Sequence, residues 1–309
     1  MTILLLGMTI FVMLGFIGCL LRRNRKMYHT IDMMLDEVLD DEKITESDIC
    51  EGEISALAAK VKQVQEKVAL SVSEAEMERE AVKQLISNLS HQVKTPLSVI
   101  VMYQEMLADE SLDVETRKMF TLKMKKQVDK LEWILGALFK MVELEQNAVV
   151  FDAEPLLLRE TLIDAIGTVM DKVAAKDQSL NILPFNDVLV WHNRRWTIEV
   201  FINLLENAIK YTPQGGKITI DVQTLEMYTK ISILDTGCGI REEEKAAVFQ
   251  RFYRGKDVEH IEGSGLGLAL SRLILSREKG YITVESKYGE GSTFSVFLQN
   301  CHNNDVDLS

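Results

Sequence analysis

Four polar side chains recur at helical spacing in the segment Asn203-Leu-Leu-Glu-Asn207-Ala-Ile-Lys210-Tyr211. On an α-helix, positions i, i+4, i+7 and i+8 share a face. That face carries two carboxamides, an ammonium and a phenol, while Leu204, Leu205 and Ile209 turn largely toward a core. Carboxamide oxygens are hard ligands that suit Mg²⁺, which keeps waters and phosphate oxygens as its other ligands. An ammonium suits phosphate, and an aromatic ring suits a base. Taken by themselves, these four residues also fit a plain solvated helix face.

Three further stretches fit the same nucleotide site. Asp235-Thr-Gly237-Cys-Gly239 follows a β-prone run. An aspartate at a strand end can accept a hydrogen bond from an adenine amino group, and the glycines let the backbone turn sharply beside the base. Gly263-Ser-Gly265-Leu-Gly267-Leu precedes a helical pattern. Glycines there let backbone N–H groups approach phosphates. Alone this motif could open a Rossmann unit, but too little chain follows it for the next βαβ unit. Gly289-Glu-Gly291-Ser-Thr293-Phe294 is a turn feeding a last strand, by itself a common hairpin.

A second chemistry sits in Ser90-His91-Gln92-Val93-Lys94-Thr95-Pro96-Leu97. A lone histidine on a helix is usually a surface residue. Here Pro96 follows five residues later, where it removes a helix hydrogen bond and bends the helix. A neutral imidazole nitrogen is a competent nucleophile near pH 7. Gln92 can accept a hydrogen bond through its carbonyl but cannot take a proton.

The surrounding elements must position these groups. Hydrophobic residues make up 47% of the 309-residue chain and only four prolines interrupt it, which favours long helices in the Leu-, Met-, Glu-, Lys- and Ala-rich middle. A net charge of −12 argues against direct nucleic-acid binding. Cys19, Cys50, Cys238 and Cys301 lie far apart without metal-ligand spacing and read as reduced bystanders in the cytoplasm. Ile3 to Leu21 is a charge-free run long enough to cross a bilayer, and Arg22, Arg23, Arg25 and Lys26 follow at once. No basic residue precedes the run and no small-residue cleavage site follows, which disfavours a signal peptide. The positive-inside rule places the rest in the cytoplasm, giving a single-pass plasma-membrane protein without an external domain.

Ile31, Met34, Leu35, Val38 and Leu39 share a helical face; Asp40 to Glu53 is an acidic connector; Ile54, Leu57, Val61, Val64 and Val68 form a short heptad seam. This pair of helices fits either a signal-relay module similar to the HAMP type or a plain coiled-coil linker. The helix then continues to about Leu107, Asp109 to Asp113 reads as a turn, and Met124, Val128, Leu131, Leu135, Leu138 and Val142 make a second seam. Such a hairpin cannot bury its seam alone, so a dimeric four-helix bundle is expected. From about Val149, β-runs at 181–183, 217–224, 229–234, 281–285 and 292–298 alternate with helical patterns at 155–175, 194–210 and 264–277. That predicts an α/β sandwich with helices on one face of a mixed sheet.

In this order and spacing, the four nucleotide motifs resemble the N, G1, G2 and G3 boxes of bacterial sensor histidine kinases. Phe249-Gln-Arg251-Phe252-Tyr-Arg254 resembles their F box and the octet around His91 their H box. The resemblance implies a multidomain protein: a transmembrane anchor (1–26), a helical relay linker (27–80), a dimerisation and phosphotransfer hairpin (81–146), an ATP-binding α/β sandwich of the gyrase/Hsp90/histidine-kinase type (147–300) and a tail (301–309). It implies a lid between Gly239 and Gly263 that closes over ATP. Asn207 would hold Mg²⁺ with support from Asn203, Lys210 would touch phosphates, Tyr211 the adenine and Asp235 its amino group. Arg251 or Arg254 would reach the phosphate chain, and the glycines 237, 239, 263, 265 and 267, with Thr293, would complete the nucleotide site.

The resemblance further implies autophosphorylation of His91, transfer to an aspartate of a separate response regulator, and a homodimer. Thr95, one turn after His91, implies regulator phosphatase activity. Gyrase-like and Hsp90-like ATPases have a glutamate that activates water where this chain has Asn203, so a kinase is favoured over a hydrolase. Most family members carry an acidic residue at the Gln92 position. Either the kinase is slow, or water or another carboxylate takes the proton; a subgroup with little or no external domain has the same His-Gln-x-Lys-Thr-Pro box. The rivals are a phosphatase-biased degenerate kinase and a non-enzymatic ATP-binding membrane scaffold. The stimulus is expected to enter through the membrane helix or a membrane partner such as a transporter.

Overall fold

The computed structural model describes residues 2–39, 53–146, 151–258, 261 and 263–301. Side chains of 2–6, 30, 33–39 and 53–58 are left undescribed within their helices. The chain divides into two compact units, Met1–Gln84 and Leu85–Ser309.

The first unit contains α1 (Thr2–Leu39) and the start of α2 (Glu53–Leu107). Gly7–His29 is, among the described residues, the one segment long and apolar enough to cross a membrane. Its side chains are exposed apart from the half-buried Met27, with Phe11 at 78% and Leu14 at 63%. An apolar sleeve of that extent suits lipid rather than water. The expected acidic connector, Cys50 and most of the face from Ile31 to Leu39 lie outside the described residues or side chains. In the seam that follows, Val64 and Val68 are exposed, an apolar stripe along one helix.

The second unit begins within α2, which runs through Pro96 as one helix. Proline has no N–H, so the carbonyl of Gln92 loses its helical donor. The hairpin turn is built by aspartates. Asp109 accepts from the Ser111 N–H and hydroxyl at 2.9 and 2.6 Å. Asp113 caps α3 (Val114–Glu145) by accepting from the N–H and hydroxyl of Thr116 at 2.9 and 2.7 Å. Across the hairpin, Tyr103 and Phe120 meet at 5.1 Å between ring centroids.

Beyond the hairpin, β1 (Glu154–Leu157) pairs antiparallel with β3 (Leu189–His192). A five-stranded mixed sheet has the order β2 (Ser179–Ile182), β4 (Lys217–Thr224), β5 (Tyr228–Asp235), β7 (Gly291–Gln299), β6 (Tyr281–Lys287). Only β2 and β4 are parallel. Helices α4 (Leu158–Ala175), α5 (Arg194–Tyr211) and α6 (Gly267–Arg277) pack against the sheet through side chains such as Leu158, Phe201, Leu204 and Ile274, all fully buried beside Ile218, Ile220 and Ile231. The expected α/β sandwich is therefore present. Some details differ from expectation: β3 is not among the expected β-runs, and two helices start later than expected. The helix expected from Pro155 starts three residues later, because Glu154–Leu157 finds a strand partner in Leu189–His192. The helix expected from Ser264 starts at Gly267, because the glycine loop before it is folded back against the segment at Phe252 and Tyr253.

Candidate nucleotide and phosphoacceptor sites

Helix α5 presents the polar face expected of it. Its N-terminus is capped by Asn193, whose side-chain oxygen accepts from the Trp196 N–H, and Leu204, Leu205 and Ile209 are buried beneath. Its last turn is clamped from the short link between α4 and β2: the Lys176 ammonium donates to the carbonyls of Ile209, Lys210 and Thr212 at 2.8, 2.9 and 3.2 Å. The Gln178 carboxamide donates to those of Ile209, Thr212 and Pro213. These donors satisfy carbonyls that a helix end leaves orphaned, and so fix Lys210 and Tyr211.

Asn203, Asn207, Lys210 and Tyr211 line a cleft of about 550 Å³ together with Asp235, Gly239, Arg254, Gly263, Gly265 and Gly267. Asp235 ends β5; its Oδ1 accepts from the N–H groups of Gly237 and Ser292 at 2.8 and 3.3 Å. Burial pushes its carboxyl above the usual range, against the pull of those two donors. Burial likewise pushes the Tyr211 phenol and the Cys238 thiol up, so both stay protonated at neutral pH. The Lys210 ammonium donates to the Tyr211 hydroxyl at 2.8 Å and lies against Gly263.

Two glycines are needed for their backbone. Gly265 has φ +74°, and a Cβ there would lie 2.6 Å from the Phe252 carbonyl carbon. Gly239 has φ +69° and meets the Lys287 carbonyl where its Cβ would be. The Phe252 N–H donates to the Gly265 carbonyl at 2.8 Å, which ties the F-box segment to the glycine loop. Among the described residues between Gly239 and Gly263 there are three single turns of tight helix, braced by Arg241 on Asp257 at 2.7 Å and by Glu244 on the Lys256 N–H at 3.2 Å.

The expected residues do not all converge. Thr293 lies outside the cleft lining, which takes Ser292 and Phe294 instead. Side chains alternate along a strand, so Thr293 points to the opposite face of β7, beside Leu234 and Glu285. Arg251 is also outside the lining and pairs with Glu145 of α3, whereas Arg254 lines the cleft and donates to the carbonyls of Val258 and Ile261. Gly237 is buried behind Asp235. Sequence reasoning missed Lys126, Asp129, Lys130 and Trp133 of α3, which line the cleft from the hairpin side. Their spacing of three, four and seven was a readable signal, masked by the apolar seam on the same helix.

His91, Gln92 and Thr95 lie on α2 and do not line the cleft. His91 is exposed, Gln92 half-buried, and the Thr95 hydroxyl donates to the His91 carbonyl at 3.2 Å. His192 is the opposite case. It is fully buried, bonded to Thr161 at 2.8 Å and the Val190 carbonyl at 3.0 Å, and burial holds its pKa down. It is a neutral structural histidine.

The donor set fits a nucleotide and a hard cation. Asn203 is 6% exposed, yet its amide nitrogen has no hydrogen-bond partner among the described residues. Its carboxamide oxygen sits 3.2 Å from where a Cβ on Gly267 would be, at the start of α6. A buried carboxamide left unsatisfied at a helix N-terminus is poised for a ligand. Among the described residues no group of three or more His, Cys, Asp or Glu could hold a metal ion. A cation held by carboxamide oxygen, phosphate and water suits this better than a metal caged by protein.

Residues 81–147 match the family described as "His Kinase A (phospho-acceptor) domain". Residues 192–301 match "Histidine kinase-, DNA gyrase B-, and HSP90-like ATPase". The chain belongs to the sensor histidine kinases. Among curated relatives, it is 30% identical over 223 residues to the phosphate regulon sensor protein PhoR of Pseudomonas aeruginosa, covering 71% of this chain and 49% of that protein. It is 28% identical over 285 residues to drug sensory protein A of Synechocystis, covering 86% of this chain and 40% of that one. The chain thus spans about half or less of the length of these relatives. Among solved structures, histidine kinase ThkA in complex with response regulator TrrA matches with TM-score 0.60 at 21% identity, covering 74% of this chain and 66% of that one. The Acinetobacter baumannii histidine kinase AdeS matches with TM-score 0.56 at 20% identity, covering 69% and 98%. These likenesses show the fold alone: a helical hairpin followed by an α/β sandwich.

Proposed function

We propose that this sensor kinase autophosphorylates His91 with Mg-ATP and passes the phosphoryl group to an aspartate of a separate response regulator. The carrying observation is the convergence of Asn203, Asn207, Lys210, Tyr211 and Asp235 on one cleft, in a chain whose α2 displays an exposed histidine. In this reading Tyr211 and Asp235 hold the adenine. Only Oδ1 of Asp235 is engaged, so Oδ2 is left to accept from its amino group. Lys210, Arg254 and the backbone of the 263–267 loop take the phosphates, and Asn207 would hold Mg²⁺ with Asn203 beside it. Bound there, Mg²⁺ would neutralise phosphate charge in the transition state.

The reaction at the acceptor is simple to balance. A ring nitrogen of His91 attacks the γ-phosphorus; the new N–P bond forms as the bond to the β-phosphate oxygen breaks, and ADP leaves. The ring proton goes to water, because Gln92 can orient an imidazole N–H through its carbonyl but cannot receive the proton. His91 does not line the cleft of its own chain in the observed arrangement, so transfer requires the hairpin to shift or a second copy to supply the cleft.

The reading includes a homodimer. Val128, Leu135 and Val142 of the expected seam are 42%, 42% and 38% exposed, as are Leu97, Val101 and Met106 of α2 at 50%, 43% and 43%. Two helices with that much apolar surface pair naturally with two more. It also includes single-pass anchorage in the plasma membrane by the segment around 7–29, and the domain limits 1–26, 27–80, 81–146, 147–300 and 301–309. A receiver-domain partner is supported by the solved complex of ThkA with the response regulator TrrA. Neither the relatives named above nor the described residues support a transporter as the membrane partner.

A second reading, phosphatase bias, rests on Gln92. The full chain in lipid nanodiscs, given γ-labelled ATP and Mg²⁺, decides between them. An acid-labile, base-stable label that disappears in His91→Gln and in Asn207→Ala is expected. Label surviving His91→Gln would sink the acceptor assignment. Absence of label together with Thr95-dependent dephosphorylation of a regulator would establish the second reading.

A further inference from the structure

We infer that the hairpin itself completes the nucleotide site: Lys126 and Lys130 of α3 take the polyphosphate, with Trp133 beside them. This rests on the cleft being a nucleotide site and extends it to residues outside the ATP-binding domain. Lys126, Lys130 and Trp133 line the same cleft as Asn207 and Lys210 and stand at i, i+4 and i+7, on one face of α3.

That face is held in place. Ile134, Ala137, Met141 and Leu144 are buried at 0%, 6%, 2% and 2% exposure, in a core continuous with α5 and α6. Lys140 pairs with Glu199 at 2.9 Å, Arg251 with Glu145, and Arg277 donates to the Leu144 carbonyl.

The register places the lysines. Arg277, at the end of α6, meets Leu144. Ten residues back along α6 is Gly267, and ten back along α3 is Ile134, next to Trp133. At about 1.5 Å per residue, both helices retreat by about 15 Å. At these ends of the two helices, Trp133 of α3 and Leu268 of α6 both line the cleft. Lys130 and Lys126 lie about one and two turns further back along α3, and line the same cleft as Gly263, Ser264 and Gly265. The N-terminus of α6 offers a positive dipole end and, buried beside it, the carboxamide nitrogen of Asn203, unpartnered among the described residues.

Charge points the same way. Neither Lys126 nor Lys130 has an ion-pair partner among the described residues, in contrast to Lys140. Two ammonium groups four apart on a helix repel, and an anion between them relieves the repulsion. Asp129 stands on the same wall, so the face carries a net single positive charge. By linkage, a nucleotide that bridges α3 and the 263–267 loop favours the docked hairpin as strongly as docking favours the nucleotide.

The test titrates the full chain in nanodiscs with ATP, ADP and adenosine, reading heat and tryptophan fluorescence. In K126Q/K130Q the Kd for ATP is expected to rise about tenfold and its salt dependence to weaken, with adenosine binding unchanged. Trp133→Phe is expected to lose the nucleotide-induced fluorescence change, leaving Trp191 and Trp196 silent. An ATP Kd within twofold of the parent in K126Q/K130Q, while Asn207→Ala loses ATP binding, overturns this inference and leaves the nucleotide site standing. Equal weakening for adenosine and ATP also overturns it, since that marks a general disturbance. A parent chain that binds no ATP removes the nucleotide reading and this inference together.

Discussion

The hairpin and the α/β domain bury their apolar side chains in different ways. In the α/β domain, Phe201, Leu204, Leu205 and Ile231 are fully buried by their own chain. In the hairpin, α3 is split between two faces. Ile134, Ala137, Met141 and Leu144 are buried toward the α/β domain, while Val128, Leu135 and Val142 remain open. The first region is a finished core. The second is a partly docked element whose other face needs a further partner. A domain that only binds nucleotide gains from being finished. Under the proposed function, a hairpin that carries His91 on α2 gains from having more than one place to pack.

The largest expected effect tests the finished region. Leu204→Ala removes a fully buried side chain between Asn203 and the sheet, and a core Leu→Ala change costs about 2–5 kcal/mol. Urea unfolding followed by Trp191 and Trp196 should show that loss, with ATP binding falling as the site loosens. The same change at Leu135, 42% exposed, is expected to cost the isolated chain well under half as much. Equal losses at the two positions would break the comparison.

Next in size is a pH effect inside the finished region. Glu278 is buried at the end of α6, where its Oε1 accepts from the Asn193 N–H at 2.9 Å and the Thr197 hydroxyl at 2.7 Å. Its Oε2 has no partner among the described residues. Burial pushes the carboxyl from 4.5 up to about 7, against those two donors and the positive end of α5. A raised folded pKa means that the unfolded chain releases this proton first. The stabilising contribution is therefore complete below about pH 4.5 and disappears as pH rises through about 7. The ceiling is about 3 kcal/mol, from 1.36 kcal/mol per unit. Glu278→Gln should flatten this slope, so the variant gains on the parent between pH 5 and pH 8. A parallel pair of stability curves would show that Glu278 is ionised in the folded protein.

Much of this division was legible in the residues. The alternation of β-prone and helical patterns after Val149 located the sandwich, and the i, i+4, i+7, i+8 face of α5 located the cleft. What could not be read depended on long-range pairing. Strand β1 contains Pro155, a poor strand former, and exists only because Leu189–His192 pairs with it. Thr293 belonged to the right motif but the wrong face, since one residue of register inverts a strand's side chains. The seam at 124–142 was read as one stripe with one destination. The structure shows a second stripe beside it, at 134–144, buried in another direction. A periodicity of three and four reveals a face but does not name its partner.

The smallest effect on the chain itself falls on the open stripe, and it separates the two regions most cleanly. Val128→Ser/Leu135→Ser replaces two partly exposed apolar side chains that face away from the α3 docking face, so the unfolding of the α/β domain should move by no more than about 0.5 kcal/mol. If a second copy covers this stripe, each change also removes apolar area at about 25 cal/mol per Å² from the dimer, once on each chain. The dimer dissociation constant should then rise at least tenfold, measured by sedimentation in detergent over a dilution series. ATP affinity should stay as in the parent, because neither residue lines the cleft. A dimer that survives unchanged would mean that the open stripe is not the interface. A fall in α/β stability would mean that the two faces of α3 are energetically one, and the contrast between a finished and an unfinished region would be lost.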